Sequence, residues 1–180
     1  MQISDLITRF SGSQKDQEKA IFSSLFILTN RLQTLFDQHI PDVSLKQFML
    51  LSLIRQSEKE LTLSQLGALL GCSRQNVKKI ALVLEKKKFI TIESNPKDPR
   101  ALCIQPTEQV EDFFRNDFAL YQKELSWLFE DYTEEEISQL FFLLSRLYEG
   151  IENLEIKTRE QKESRQGRNQ KNTGPKENEQ

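Results

Sequence analysis

Thr62-Leu63-Ser64-Gln65-Leu66-Gly67-Ala68-Leu69-Leu70-Gly71-Cys72-Ser73-Arg74-Gln75-Asn76-Val77-Lys78-Lys79-Ile80-Ala81-Leu82-Val83-Leu84 reads as two short helices joined by a tight turn. Thr62 with Gln65 three residues on is a capping-box pattern, and it opens the first helix. Gly71 stands where a left-handed residue closes that helix. Ser73 caps the second. Gly67 supplies the small residue needed where the two helices cross. Leu66, Leu70, Cys72, Val77 and Ile80 fill the wedge between them.

Working outward, the flanks have helical and then strand period. Residues 14–40 form one amphipathic helix, with Ile21, Leu25, Leu28, Leu32 and Leu35 spaced by fours and threes. Phe22, Phe26 and Phe36 widen that face, and Pro41 stops the helix. Ser44 with Gln47 opens another helix, carrying Phe48, Leu51, Leu53 and Ile54. From Phe89 the period changes. Phe89 to Glu93 and Ala101 to Ile104 read as two strands around the charged tip Ser94-Asn95-Pro96-Lys97-Asp98-Pro99-Arg100.

Pro106-Thr107 starts a long helix with Val110, Phe114, Phe118, Tyr121, Leu125 and Leu128 on one face. Thr133 with Glu136 caps the last helix, which bears Ile137, Leu140, Phe141, Leu144, Leu147, Tyr148, Ile151 and Leu154. From Lys157 apolar residues vanish, and residues 157–180 are expected to be a disordered polar tail. The expected fold is mainly α. A winged helix-turn-helix with a two-stranded wing (residues 44–105) is flanked by helices at 14–40 and 107–156, and residues 1–13 form a short leading segment.

The start of the second helix is dressed for an anionic, information-bearing partner. Arg74 can bond guanine edges with two donors, and Gln75 and Asn76 can pair with adenine. Ser73 and the helix N-terminus suit phosphate, and Lys78 and Lys79 follow one turn on. Lys97 and Arg100 at the hairpin tip are placed to reach phosphates or a minor groove. From Cys72 to Arg100 eight Lys and Arg stand against three Asp and Glu; from Gln105 to Glu155 three stand against thirteen. A basic head on an acidic helical body fits double-stranded DNA on one side. The run Lys86-Lys87-Lys88 reads equally well as a phosphate contact and as a solvated helix end favoured by the dipole.

Other classes find little to build on. There is no Gly-rich phosphate loop, nucleophile motif or metal-ligand spacing, so neither an enzyme nor a bound cofactor or metal is expected. His39 is the single histidine. Cys72 and Cys103 read as small core residues. No apolar run approaches a membrane span and no signal peptide is visible, so a cytoplasmic chain without membrane contact is expected.

The run Leu63 to Ser73, then Val77 and Leu84-Glu85-Lys86-Lys87, with the tip Asp98-Pro99-Arg100-Ala101, resembles the MarR family of winged-helix regulators. That resemblance implies a homodimer built from the first and the last two helices, reading a palindromic operator; the expected function is a transcription regulator acting as a repressor. It implies release of DNA by a small, often aromatic, effector. It also implies that Arg100 enters the minor groove while Asp98 helps hold it; a local Asp98–Arg100 pair is the structural alternative. The rival function is a winged-helix module for protein contacts or nonspecific DNA packaging. Three positions depart from the family's pattern. Lys88 and Val110 stand where it has glycine, and Pro106-Thr107 where it has Leu-Thr.

Overall fold

A computed structural model describes residues 3–10, 12–40, 42–95 and 98–171. The chain divides into two compact units, Met1–Leu125 and Ser126–Gln180.

The first unit opens with α1 (Ile3–Phe10) and α2 (Gln14–His39). The Ser13 side chain accepts from the Asp16 N–H to cap α2. Helix α2 ends at His39, and Ile40 is extended (φ −115°, ψ 92°), as a residue before proline prefers. Pro41 itself lies outside the described residues. Two of the capping boxes expected from the sequence lie in this unit, and both are present. Ser44 and Gln47 close the start of α3 (Leu45–Gln56), and Thr62 and Gln65 that of α4 (Leu63–Leu69). Gly71 adopts φ 64°, and Ser73 caps α5 (Arg74–Lys86).

Strands β1 (Ile90–Asn95) and β2 (Asp98–Pro106) form an antiparallel hairpin, with Ile90 opposite Pro106 and Ile92 opposite Ile104. Both run longer than the alternation alone suggests. A single bridge from Thr62 to Cys103 adds a short third edge. The fold is thus mainly helical with a two-stranded wing, as expected.

The long helix expected from residue 107 is broken. Helix α6 (Glu108–Arg115) ends at Asn116 (φ −103°, ψ −68°), and α7 (Asp117–Leu125) restarts behind it. Asn competes for backbone hydrogen bonds and favours helix ends, and Asp117 suits the positive start of a new helix.

The core of this unit draws on every element from α2 to α7. Leu50 and Leu51 of α3, Leu66 of α4, Val77, Ala81 and Leu84 of α5, Ile90, Ile104 and Val110 pack as one buried cluster. Each of these Leu, Ile and Val side chains contributes about 1.5–3 kcal/mol by leaving water. Aromatic rings extend it, with Phe48 and Phe118 4.4 Å apart and Phe36 and Tyr121 5.0 Å apart. Phe36 and Ile40 anchor the end of α2 in this cluster, whereas Ile21, Phe22 and Phe26 on its first half stay exposed.

In the second unit a 3-10 turn (Ser126–Phe129) precedes α8 (Glu134–Lys171). Thr133 and Glu136 form the expected capping box, with reciprocal bonds of 2.9 and 3.2 Å. Helix α8 continues through residues 157–171, where the loss of apolar residues suggested an unstructured tail. Lys, Arg, Glu and Gln are good helix formers, and from Lys157 no glycine intervenes before Gly167. Thr158 and Ser164 fold their hydroxyls onto the carbonyls of Leu154 and Glu160, so they do not compete with the helix. Residues 172–180 lie outside the described residues. Along α8 the seam Ile137, Leu140, Leu144, Leu147, Ile151 and Leu154 is exposed, as are Phe141 and Tyr148. Among the described residues no helix is long and apolar enough to cross a membrane.

Candidate nucleic-acid interface

Helix α5 has one dry face and one wet one. Val77, Ala81 and Leu84 are fully buried. Ser73, Arg74, Gln75, Asn76, Lys78 and Lys79 are all exposed, on the first two turns. The structure therefore brings together the six helix residues that the sequence singles out. The Ser73 hydroxyl accepts from the Asn76 N–H at 3.2 Å, so it fixes the helix start and can still donate outward. Among the described residues Arg74, Lys78 and Lys79 have no salt-bridge partner.

The turn that aims α5 is set by glycine. A Cβ on Gly67 would meet the Cys72 carbonyl oxygen at 2.7 Å. That carbonyl is backbone, so it cannot swing away, and the Cys72 N–H is itself bonded to the Gly67 carbonyl at 2.8 Å. Cys72 is half-buried against the core and Cys103 is buried in β2. Both serve as packing residues. Among the described residues no cluster could hold a metal ion.

At the hairpin tip Lys97 lies outside the described residues. Asp98 and Arg100 belong to β2 by backbone, with Asp98 paired to Asn95 across a register shift. Their side chains also lie outside the described residues.

Residues 42–101, from the start of α3 to the wing, match the model of the MarR family. Over that segment the chain is similar to the MarR family. Solved structures agree on the fold. A MarR/EmrR family transcriptional regulator from Acinetobacter sp. ADP1 is 22% identical, covering 76% of this chain and 97% of that one, with a TM-score of 0.62. The MepR–DNA complex of S. aureus is 21% identical, covering 72% and 97%, with a TM-score of 0.63. BpsR of Bordetella bronchiseptica, whose DNA binding is regulated by 6-hydroxynicotinic acid, is 18% identical, covering 71% and 92%, with a TM-score of 0.62. No curated protein matches by sequence.

The departures from the MarR pattern now have structural readings. Lys88 takes φ 65°, so the left-handed corner between α5 and β1 is kept without glycine. Thr107 secures that corner. Its hydroxyl reaches the carbonyls of Lys88 and Phe89 at 2.7 and 3.0 Å, and its N–H donates to Phe89 at 2.9 Å. That leaves Thr107 without a side-chain bond to cap α6. Val110 is fully buried in the core.

Within Lys86-Lys87-Lys88 the residues divide. The Lys87 ammonium donates to the Asp42 carbonyl and, at 3.3 Å, to Gln47 Oε1, tying the end of α5 to the start of α3. Lys86 and Lys88 are exposed.

Two residues that the sequence reading passed over join α3 to α6. Arg55 donates from Nε and Nη2 to the two Glu111 oxygens at 2.8 and 3.0 Å. Its guanidinium also lies 4.7 Å from the centre of the Phe114 ring. These hydrogen bonds hold the Glu111 carboxyl below the usual carboxylate range and raise the Arg55 pKa above its ordinary value. The pair borders a cleft of about 450 Å³ lined by Phe48, Phe114 and Phe118, with Ser52, Gln56 and Gln122 at its polar edge. Each charge also suits its helix: Arg55 sits in the last turn of α3 and Glu111 in the first of α6. That is a local signal for each alone, and none for their meeting.

Proposed function

We propose that this chain is a transcription regulator that binds double-stranded DNA sequence-specifically as a homodimer on a palindromic operator. The observation that carries this reading is α5. Six polar side chains able to read bases or hold phosphates stand exposed on a helix whose other face is locked into the core. MepR, of the same fold, was solved on DNA. Two copies of α5 would read half-sites about one helical turn apart. The exposed apolar residues of α2 and of α8 support the homodimer, since large uncovered apolar patches mark association surfaces.

The regulator is read as a repressor released by a small aromatic effector. The cleft beside Phe48, Phe114 and Phe118 is of a size that takes such molecules. An aromatic carboxylate there would stack on the rings and compete with Glu111 for Arg55. BpsR, with the same fold, responds to an aromatic acid.

The test is fluorescence anisotropy at one fixed salt with the DNA upstream of the gene and a scrambled duplex. Binding at least about a thousandfold tighter to the upstream DNA supports the specific regulator. Equal, weak binding to both favours a nonspecific packaging or protein-contact module. Loss of the specific complex on adding 6-hydroxynicotinic acid or a related aromatic acid would support effector release.

A further inference from the structure

Glu85 is set against its own helix. A carboxylate in the last turn of α5 faces the negative end of the dipole, where Lys86 follows it more comfortably. What offsets this is a bond outside the helix: the Glu85 carboxylate accepts from the Ile92 N–H of β1 at 3.1 Å. Strand β1 has β2 on one side only, so alternate N–H groups of its other edge need partners from elsewhere. Glu85 supplies one of them.

This bond belongs to a rigid junction. Between Glu85 and Ile92 the chain passes the left-handed Lys88, clamped by Thr107, and the buried Phe89 and Ile90. Lys87 ties the same helix end to α3. Those contacts hold the root of the hairpin. Glu85 grips it two residues further along, where its angle to α5 is decided.

We infer that Glu85 is a positioning residue that sets the angle of the wing relative to α5, so that helix and wing meet DNA as one preorganised surface. This rests on the DNA-binding reading above. Ile92 and Asn95 are three residues apart, a lever of about 10 Å, so a tilt of roughly ten degrees moves the tip by about 2 Å. That is enough to break a hydrogen bond to DNA.

The experiment compares full-length wild type with Glu85→Ala, Glu85→Asp and Glu85→Gln. Asp keeps the charge and loses the reach; Gln keeps an acceptor oxygen at full length. Amide hydrogen exchange of Ile92 in the free protein is read beside affinity for the upstream DNA. Glu85→Ala and Glu85→Asp are expected to speed Ile92 exchange at least about tenfold and weaken DNA binding about tenfold, the scale of one charge-assisted hydrogen bond. Glu85→Gln is expected to restore both. The Ala81 amide, inside α5, reports that the fold is kept. Should Glu85→Ala fail to fold, Glu85→Asp against Glu85→Gln decides alone. Unchanged Ile92 exchange overturns the inference. So does faster exchange with unchanged DNA affinity while Arg100→Ala weakens binding. If neither Arg74→Ala nor Arg100→Ala alters DNA binding, the DNA reading itself has failed. The exchange result then still decides whether Glu85 holds the hairpin.

Discussion

Gly67 and Cys72 approach so closely that a methyl group on Gly67 would stand 2.7 Å from the Cys72 carbonyl oxygen. The contact is between two backbones, so no rotamer change relieves it. Gly67→Ala is expected to destabilise the protein by about 1–3 kcal/mol, the usual penalty of overpacking. Urea denaturation checks it: the midpoint falls while the slope is unchanged. An unshifted midpoint would mean that the turn opens freely, and α5 would then be less firmly aimed than this contact implies.

Arg74 is exposed in the first turn of α5 with no internal partner among the described residues. Arg74→Ala is expected to cost about 1–3 kcal/mol of specific binding and to leave the circular dichroism unchanged. Lys78→Ala is expected to weaken operator and random DNA alike and to lower the salt slope by about one. Unchanged operator affinity in Arg74→Ala would remove that residue from the reading surface.

Much of this surface is legible in the sequence because its signals are local. Caps lie three residues from their partners, and Gly67 and Gly71 are four apart. The break at Asn116 is not legible in the same way, because Val110, Phe114, Phe118 and Tyr121 keep a helical period straight through it. Nor is the reach of α8 to Lys171, since a hydrophobic pattern says nothing about a polar helix. Arg55 and Glu111 are separated by 56 residues, and only the folded chain brings them together. Glu85 leaves a trace: a carboxylate at the wrong end of its helix asks for a partner.

The Arg55–Glu111 pair makes stability depend on pH in a definite direction. Hydrogen bonds from Arg55, with the charges of Arg55 and Arg115 adding, depress the Glu111 pKa below its ordinary value of 4.5. A carboxylate whose folded pKa is depressed stabilises fully above its unfolded pKa. That contribution is lost as pH falls through the folded value. Melting temperatures of wild type and Glu111→Gln should therefore differ by a constant gap from pH 7 to about 5 and converge in stronger acid. A gap that does not narrow at all as the pH falls below about 4 would show that the Gln variant fails for another reason, such as lost packing beside Phe114.

Leu140 lies on the exposed seam of α8, four residues from Leu144. Leu140→Glu is expected to convert the proposed homodimer into monomers, because a carboxylate carried into an apolar interface must be desolvated without a partner. Sedimentation velocity measures it. An intact dimer in this variant would exclude the centre of that seam from the interface.

Lys88 holds a left-handed backbone, φ 65°, that an L side chain enters at a cost of roughly 1–2 kcal/mol. Glycine enters it freely but loses roughly 0.5–1 kcal/mol more chain entropy on folding. The difference predicts that Lys88→Gly stabilises the protein by up to about 1.5 kcal/mol, whereas Lys88→Ala gives no gain. The same pair of variants tests whether the lysine has a further use. Should both weaken DNA binding equally and lower the salt slope by about one, the Lys88 ammonium touches a phosphate, and the strained corner is kept for that charge. Unchanged DNA affinity in both would leave Lys88 a corner residue only, and Lys88→Gly would then be a gain in stability with no functional cost.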